Sequence, residues 1–233
     1  MAYTFGDQLD FLSSLLGDSN TDSESQWPLA QRKTELNMAE KQFAKDSRIL
    51  LENATGNAVA KAITVPADWL ETFVLYVTVS GTKYKVTNDR EISPKRLEEA
   101  NIYSGDYPYY YFWTYSGTRK IVLVGSSNLT TAEYDLYYFA QPTTALDLTT
   151  DTSEIQEEYR KASVYMAASN LLPQIGQYTR ADWCMGRYNL LVQQAKEVSE
   201  RLYMNDDPPR PDVLGIGSDS TTDRQGHSSF GEW

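Results

Sequence analysis

The chain is nearly without histidine and cysteine, two of the residue types on which side-chain catalysis most often depends. There is one histidine, His227, and one cysteine, Cys184, in 233 residues. A single cysteine excludes an intrachain disulfide and fits a reducing compartment. On that reading the sequons at Asn53 and Asn128 carry no glycan. His227 lies in a Ser/Gly/Asp-rich tail, which leaves nucleophilic triads, histidine metal sites and imidazole acid–base chemistry without a foundation. Long apolar runs are also missing, and no stretch approaches the ~20 residues that span a bilayer. The first residues, MAYTFGDQLDFLSS, have no basic n-region and so read as neither signal nor transit peptide. Positive charge is scarce at both ends. Residues 1–26 hold five acids and no base, and residues 206–233 hold six acids and two bases, in a chain of net charge −11. That distribution is the reverse of a free nucleic-acid-binding domain.

Other motifs fail for want of partners. Ser80-Gly-Thr-Lys83 matches S-x-x-K but falls on a hairpin turn. Gly215-Ile-Gly217 lacks the third glycine and the preceding strand of a dinucleotide site. Residues 147–154 (DLTTDTSE) miss the EF-hand spacing. The carboxylate neighbours Glu98-Glu99, Glu157-Glu158 and Asp206-Asp207 would point about 100° apart on a helix, which suits solvated faces better than acid/base pairs. Cys184, beside Trp183, reads as a small core residue. The Tyr107–Tyr115 stretch is dense in rings, but its basic neighbours are few, so packing is the better reading than base stacking.

What is present is an apolar fraction of 41% with 17 tyrosines, enough for a packed core. Phe5, Leu9, Leu12 and Leu16 predict a short helix ended at Gly17, followed by a polar loop over 17–26. Pro28 suits the first position of a second helix. Its stripe of Leu29, Leu36, Ala39, Phe43 and Leu50 predicts helix fading only at Asn53–Gly56. The period then changes to two. Residues 72–79 and 82–87 flank Ser80-Gly81 as a hairpin, Ser93-Pro94 opens a capped turn, and strands follow at 109–115, 118–124 and 133–140, with a tight turn at Ser116-Gly117. Short connections predict an antiparallel meander.

Helices resume after a Pro142-Thr-Thr-Ala-Leu hinge. Asp151 with Glu154 predicts a capping box, ahead of a face of Ile155, Tyr159, Ala162, Met166 and Ser169 that stops at Pro173 and Gly176. Thr179 with Asp182 opens the last helix, with Trp183, Leu190, Leu191, Val198 and Leu202 expected inward, closed by Asp206-Asp207-Pro208-Pro209. The expected fold is α+β: a helical bundle (1–61 and 142–206) interrupted by a β-rich insertion (62–141), with an extended C-terminal tail (207–233).

The wording of several segments is more specific. A Trp27-Pro28-opened helix with LNMAEKQF, then VPADW, YDLYYFAQPTTALDLTTDTSEI, the AAS helix and RADWCMGRYNLL resemble the head-to-tail adaptor (connector, or head-completion) proteins of tailed bacteriophages. The likeness covers roughly residues 5–205 and rests on packing and hinge residues. It implies a non-enzymatic structural protein without cofactor or metal, located at the virion neck and assembled in the host cytoplasm. Such proteins form rings, typically of twelve copies, beneath the portal protein. The ring extends the channel through which genomic DNA passes, retains the packaged genome and offers a platform to tail or nozzle proteins, with no membrane involved. Relatives commonly dock on the portal by their C-terminal segments. The residues here suited to that are Val213, Leu214, Ile216, Phe230 and Trp233, apolar anchors on a polar segment. A different class of function is a ligand-binding module whose Tyr-rich insertion recognises peptide or carbohydrate.

Overall fold

A computed structural model describes residues 3–18, 26–88, 109–115, 118–124 and 127–204. The first helix, α1 (Phe5–Leu16), begins at a reciprocal cap in which the Asp7 backbone N–H donates to Thr4 Oγ1 and the Thr4 N–H donates to Asp7 Oδ2 at 2.7 Å. It ends where Gly17 turns left-handed at φ 70°. Its apolar stripe, Phe5, Leu9, Leu12 and Leu16, is buried against α2 and a third helix, α3 (Arg160–Leu171).

Helix α2 (Leu29–Ser47) buries Leu36, Ala39 and Phe43 as the spacing requires. It stops earlier than the stripe suggests. Arg48 adopts a left-handed conformation, its N–H donating to the Ala44 carbonyl, and the chain leaves the helix before Leu50. Residues Leu51–Asn57, expected to be the fading end of α2, form strand β1, paired along its whole length with β7 (Glu133–Ala140). Strand preference depends on what a segment pairs with, and LENATGN carries little preference of its own.

Between them run β2 (Ala62–Thr64), β3 (Trp69–Val79), β4 (Thr82–Asn88), β5 (Tyr109–Tyr115) and β6 (Thr118–Val124). The β3–β4 turn has Ser80 at φ 52° and Gly81 at φ 83°, the twin positive φ values of a type I′ hairpin. The sheet order is β1-β7-β3-β4-β5-β6-β2, so the expected simple meander is not found. β7 returns to sit between β1 and β3, and β2 crosses to pair with β6. All pairings are antiparallel except a two-residue parallel contact, Thr87–Asn88 against Tyr109–Tyr110. The turns expected at Ser93-Pro94 and Ser116-Gly117, and the Asp206–Pro209 stop, lie outside the described residues.

The last helix, α4 (Tyr178–Met204), packs on α3 and α2. Its buried side is Ala181, Cys184, Tyr188, Val192, Ala195 and Ser199. Trp183 and Leu190, expected inward, are half-exposed at 50% and 49%. Side chains three and four apart share a face, and the one chosen is set by the smaller residues that let α4 approach its neighbours closely. The molecule is therefore α+β. Two helical clusters share the bundle, one around Leu12, Leu36 and Leu171 and one around Phe43, Ile155 and Tyr188. A third lies on the sheet around Leu75, Ile121 and Leu136. Leu50 packs against both the sheet cluster and the Phe43 cluster.

Candidate assembly surfaces

In the connection from β7 to α3, Asp151 and Glu154 have the spacing of a capping box, but they do not cap a helix. Asp151 Oδ2 accepts from the backbone N–H groups of Asp147 (2.9 Å) and Leu148 (2.8 Å), and Glu154 Oε1 accepts from Thr143 and Thr144. These side chains fold the loop upon itself, and helix begins only after a 3-10 turn at Glu157–Tyr159. The loop is then fastened to the bundle. Asn37 exchanges two hydrogen bonds with the backbone of Leu146, at 2.7 and 2.9 Å, and Lys33 Nζ donates to the carboxylate of Asp147. The start of α1 joins it, since Phe5 N–H donates to Asp151 O and Gly6 N–H to Thr149 O. A β-carbon on Gly6 would sit 3.0 Å from the Thr149 carbonyl oxygen, a contact that the loop would have to yield slightly to accept.

Arg160 gathers the same region. Its guanidinium donates to the carbonyls of Ile155 (2.8 Å), Ser153 (3.0 Å) and Tyr3 (2.6 Å), tying the N-terminus, the loop and α3 together. Beside it Glu40 is buried, with Gln8 Nε2 donating to it at 3.2 Å. Burial raises its carboxyl above the usual range, and the Ser153 hydroxyl, Gln8 and the Arg160 charge only partly oppose this. The folded state then holds the Glu40 proton more tightly than the unfolded chain. Stability from this site is greatest at low pH and declines as pH rises from the ordinary glutamate value through the raised one. Glu40→Gln is expected to raise the thermal midpoint at about pH 8 relative to the parent, with the gain vanishing near pH 4. Thermal scans of both proteins across that range check it; a midpoint difference independent of pH would contradict the assignment.

Outward, α1, α3 and α4 share an aromatic ladder. Phe11 meets Tyr165 edge-on at 5.5 Å, and Tyr165 meets Trp183 edge-on at 5.8 Å. The Arg187 guanidinium lies 5.3 Å over Trp183. Leu190, 49% exposed, follows Trp183 by about two helical turns on the same side of α4. Large apolar side chains grouped on one face mark contact surfaces more often than scattered ones do. Cys184, by contrast, is buried, and burial pushes its thiol up, which suits packing and disfavours a thiolate.

A groove of about 560 Å³ opens where the bundle meets the sheet. Its floor includes Phe73, Phe139 and Val192, and Lys45, Arg48 and Lys196 stand on its rim. Tyr188 Oη donates to Asp46 Oδ2 at 2.6 Å and Ser199 Oγ donates to the Arg48 carbonyl at 2.8 Å, which hold α4 against the end of α2. Burial and Asp46 together keep the Tyr188 hydroxyl protonated. Neither Arg160 nor the groove was foreseen. An arginine between EEY and KAS reads as one more solvated helical residue, and the groove is walled by α2, α4, β3 and β7, segments far apart in the chain that no local pattern brings together. The five residues expected to dock on a partner, Val213, Leu214, Ile216, Phe230 and Trp233, lie beyond the described residues.

The described residues thus form a bundle with aromatic side chains on its outside, joined to a β layer through the fastened loop from β7 to α3. A scan of family models matches the SU10 adaptor protein model over residues 3–206. The chain belongs to that family. The match spans α1 through α4, and with them the bundle, the whole sheet and the strap, the fastened loop between Ala140 and Glu157. The adaptor is thus a structural component of a phage virion, of a phage head-to-tail adaptor family whose members interact with other head and tail proteins. No curated protein matches the adaptor. Among its described residues, no helix is long and apolar enough to cross a membrane.

Proposed function

We propose that the adaptor forms a homo-oligomeric ring, a dodecamer in the simplest case, between the portal and the tail of a tailed phage. In this reading it extends the DNA channel and presents a platform for tail or nozzle proteins at the neck. The family match across residues 3–206 is the observation that carries this. Supporting it, each chain brings a net charge of −11. A lumen lined by such chains does not neutralise phosphates, so it does not acquire the salt-dependent grip that would stall a sliding duplex. The outward ladder of Tyr165 and Trp183, with Leu190, offers apolar area for a neighbouring protein. The helical body and the β-rich insertion are separate working parts in this proposal, and no enzymatic step is required of either.

The tail beyond the family match is assigned to the portal, with Val213, Leu214, Ile216, Phe230 and Trp233 as its anchors. Burying Phe230 contributes roughly 1.5–3 kcal/mol, against about 1–2 kcal/mol to order each residue's backbone. Two rings cannot hold the tail alone, so backbone pairing or repetition around the ring is required. Removing residues 206–233 is expected to weaken portal binding by more than about tenfold, measured by titrating labelled chain onto assembled portal. Unchanged affinity would remove the tail from the docking role. A chain that stays monomeric in native mass spectrometry, both alone and with portal, would sink the ring itself.

A further inference from the structure

We infer that, in the free chain, the groove between α2, α4 and the sheet is the seat of the chain's own Val213-Leu214-Gly215-Ile216 segment. This rests on the tail-docking reading only in assigning Phe230 and Trp233 to the portal. The first support is position. Ser199 and Glu200 line one end of the groove, and α4 runs on by a single further turn to Met204. Pro208, Pro209 and Pro211 follow in the sequence, and because prolines end a helix the axis of α4 does not dictate the path of the residues after them.

Length agrees. At about 1.5 Å per helical residue, Met204 lies roughly 18 Å from Val192 along α4. The nine residues from Asn205 to Val213 reach about 30 Å when extended. The segment can therefore return along the groove with little slack. Phe230, more than a dozen residues further on, is left free to reach outward.

Chemistry agrees as well. The groove floor is Phe73, Phe139 and Val192, with the two phenylalanine rings edge-on at 5.6 Å. A space of about 560 Å³ suits a few aliphatic side chains. Gly215 and Gly217 allow the backbone to approach the wall. On the rim, Lys45 and Lys196 form no ion pair among the described residues, whereas Arg48 is engaged with Glu71 at 2.7 Å. The tail's leading stretch, Asp206-Asp207-Pro-Pro-Arg210-Pro-Asp212, brings three carboxylates and one cation to that rim. Docking of this kind shelters the tail's most apolar cluster until portal is met.

Disulfide trapping in the full chain without portal tests it. Asn189→Cys, exposed on the groove wall, is paired either with Leu214→Cys or with Ser228→Cys, and oxidation rates are compared. A tail that samples space at random beyond Met204 favours the nearer pair by no more than about fourfold, because effective concentration falls as about the −3/2 power of the flexible length. A seated segment is expected to favour Leu214→Cys by at least about twentyfold, within one chain, and Val213→Asp with Ile216→Asp is expected to return the ratio to about four or less. A ratio of about four or less in the parent, or bonds that link two chains, would overturn the inference. Portal does not enter this experiment, so its result is independent of whether the distal tail docks there.

Discussion

Phe43→Ala is expected to lower the unfolding free energy by about 3–5 kcal/mol, the range for removing a fully buried aromatic side chain. Phe43 is 0% exposed and lies where three parts of the molecule meet. Its ring is near-parallel to Tyr159 at 6.1 Å and edge-on to Tyr188 at 6.3 Å, so it joins α2 to the start of α3 and to α4. Leu50, at the entry to the sheet, packs against the same cluster. Collapse around the lost ring is restrained because Tyr188 is held by Asp46 at 2.6 Å, so the cavity persists. Phe43→Leu, which keeps most of the volume, is expected to cost much less, under about 1.5 kcal/mol. Urea unfolding of the two variants decides it. A loss below about 1 kcal/mol for Phe43→Ala, with unchanged slope, would show that the helices are held elsewhere.

Arg160→Met is the second large effect, at about 3 kcal/mol. Hydrogen bonds from a charged donor contribute roughly 1.5–3 kcal/mol each but do not add fully, and three carbonyls are left to find other partners. Because Arg160 reaches Ser153, Ile155 and Tyr3 at once, the N-terminus and the strap are expected to loosen together. Hydrogen exchange should accelerate at Phe5 and Gly6, whose N–H groups bond to Asp151 and Thr149, while β3 and β7 stay protected. Arg160→Lys is not expected to rescue the strap, since an ammonium is a point donor and cannot present a planar fork to three acceptors. Restored protection in Arg160→Lys would mean that charge alone suffices.

The sequence made some of this legible and hid the rest for definite reasons. Local signals were reliable: Gly17 ends α1, Ser80-Gly81 turns the hairpin, and Leu36, Ala39 and Phe43 mark the buried side of α2. Long-range pairing was not legible. LENATGN becomes strand only because β7 lies beside it, and the return of β7 between β1 and β3 has no local signature. On α4, hydrophobicity pointed Trp183 and Leu190 inward, but the bundle chose Ala181, Cys184 and Ala195, whose size permits close approach. Trp183 is accommodated at the surface by Tyr165 and Arg187 instead. Asp151 and Glu154 had the spacing of a capping box and served a loop, because the same carboxylate chemistry satisfies any nearby N–H. The family resemblance was carried by the strap and the helices around it, the segments that the model match also spans.

The pairing of β1 with β7 has a consequence for how such a protein changes over generations. Leu51 faces Phe139 across the ladder, so the chain enters and leaves the β layer at one doorway. Segments whose ends lie side by side can be lengthened, shortened or exchanged with little disturbance to their host. Everything between residues 57 and 133 is in that sense a cartridge, its two ends, Asn57 and Glu133, standing opposite one another on the ladder.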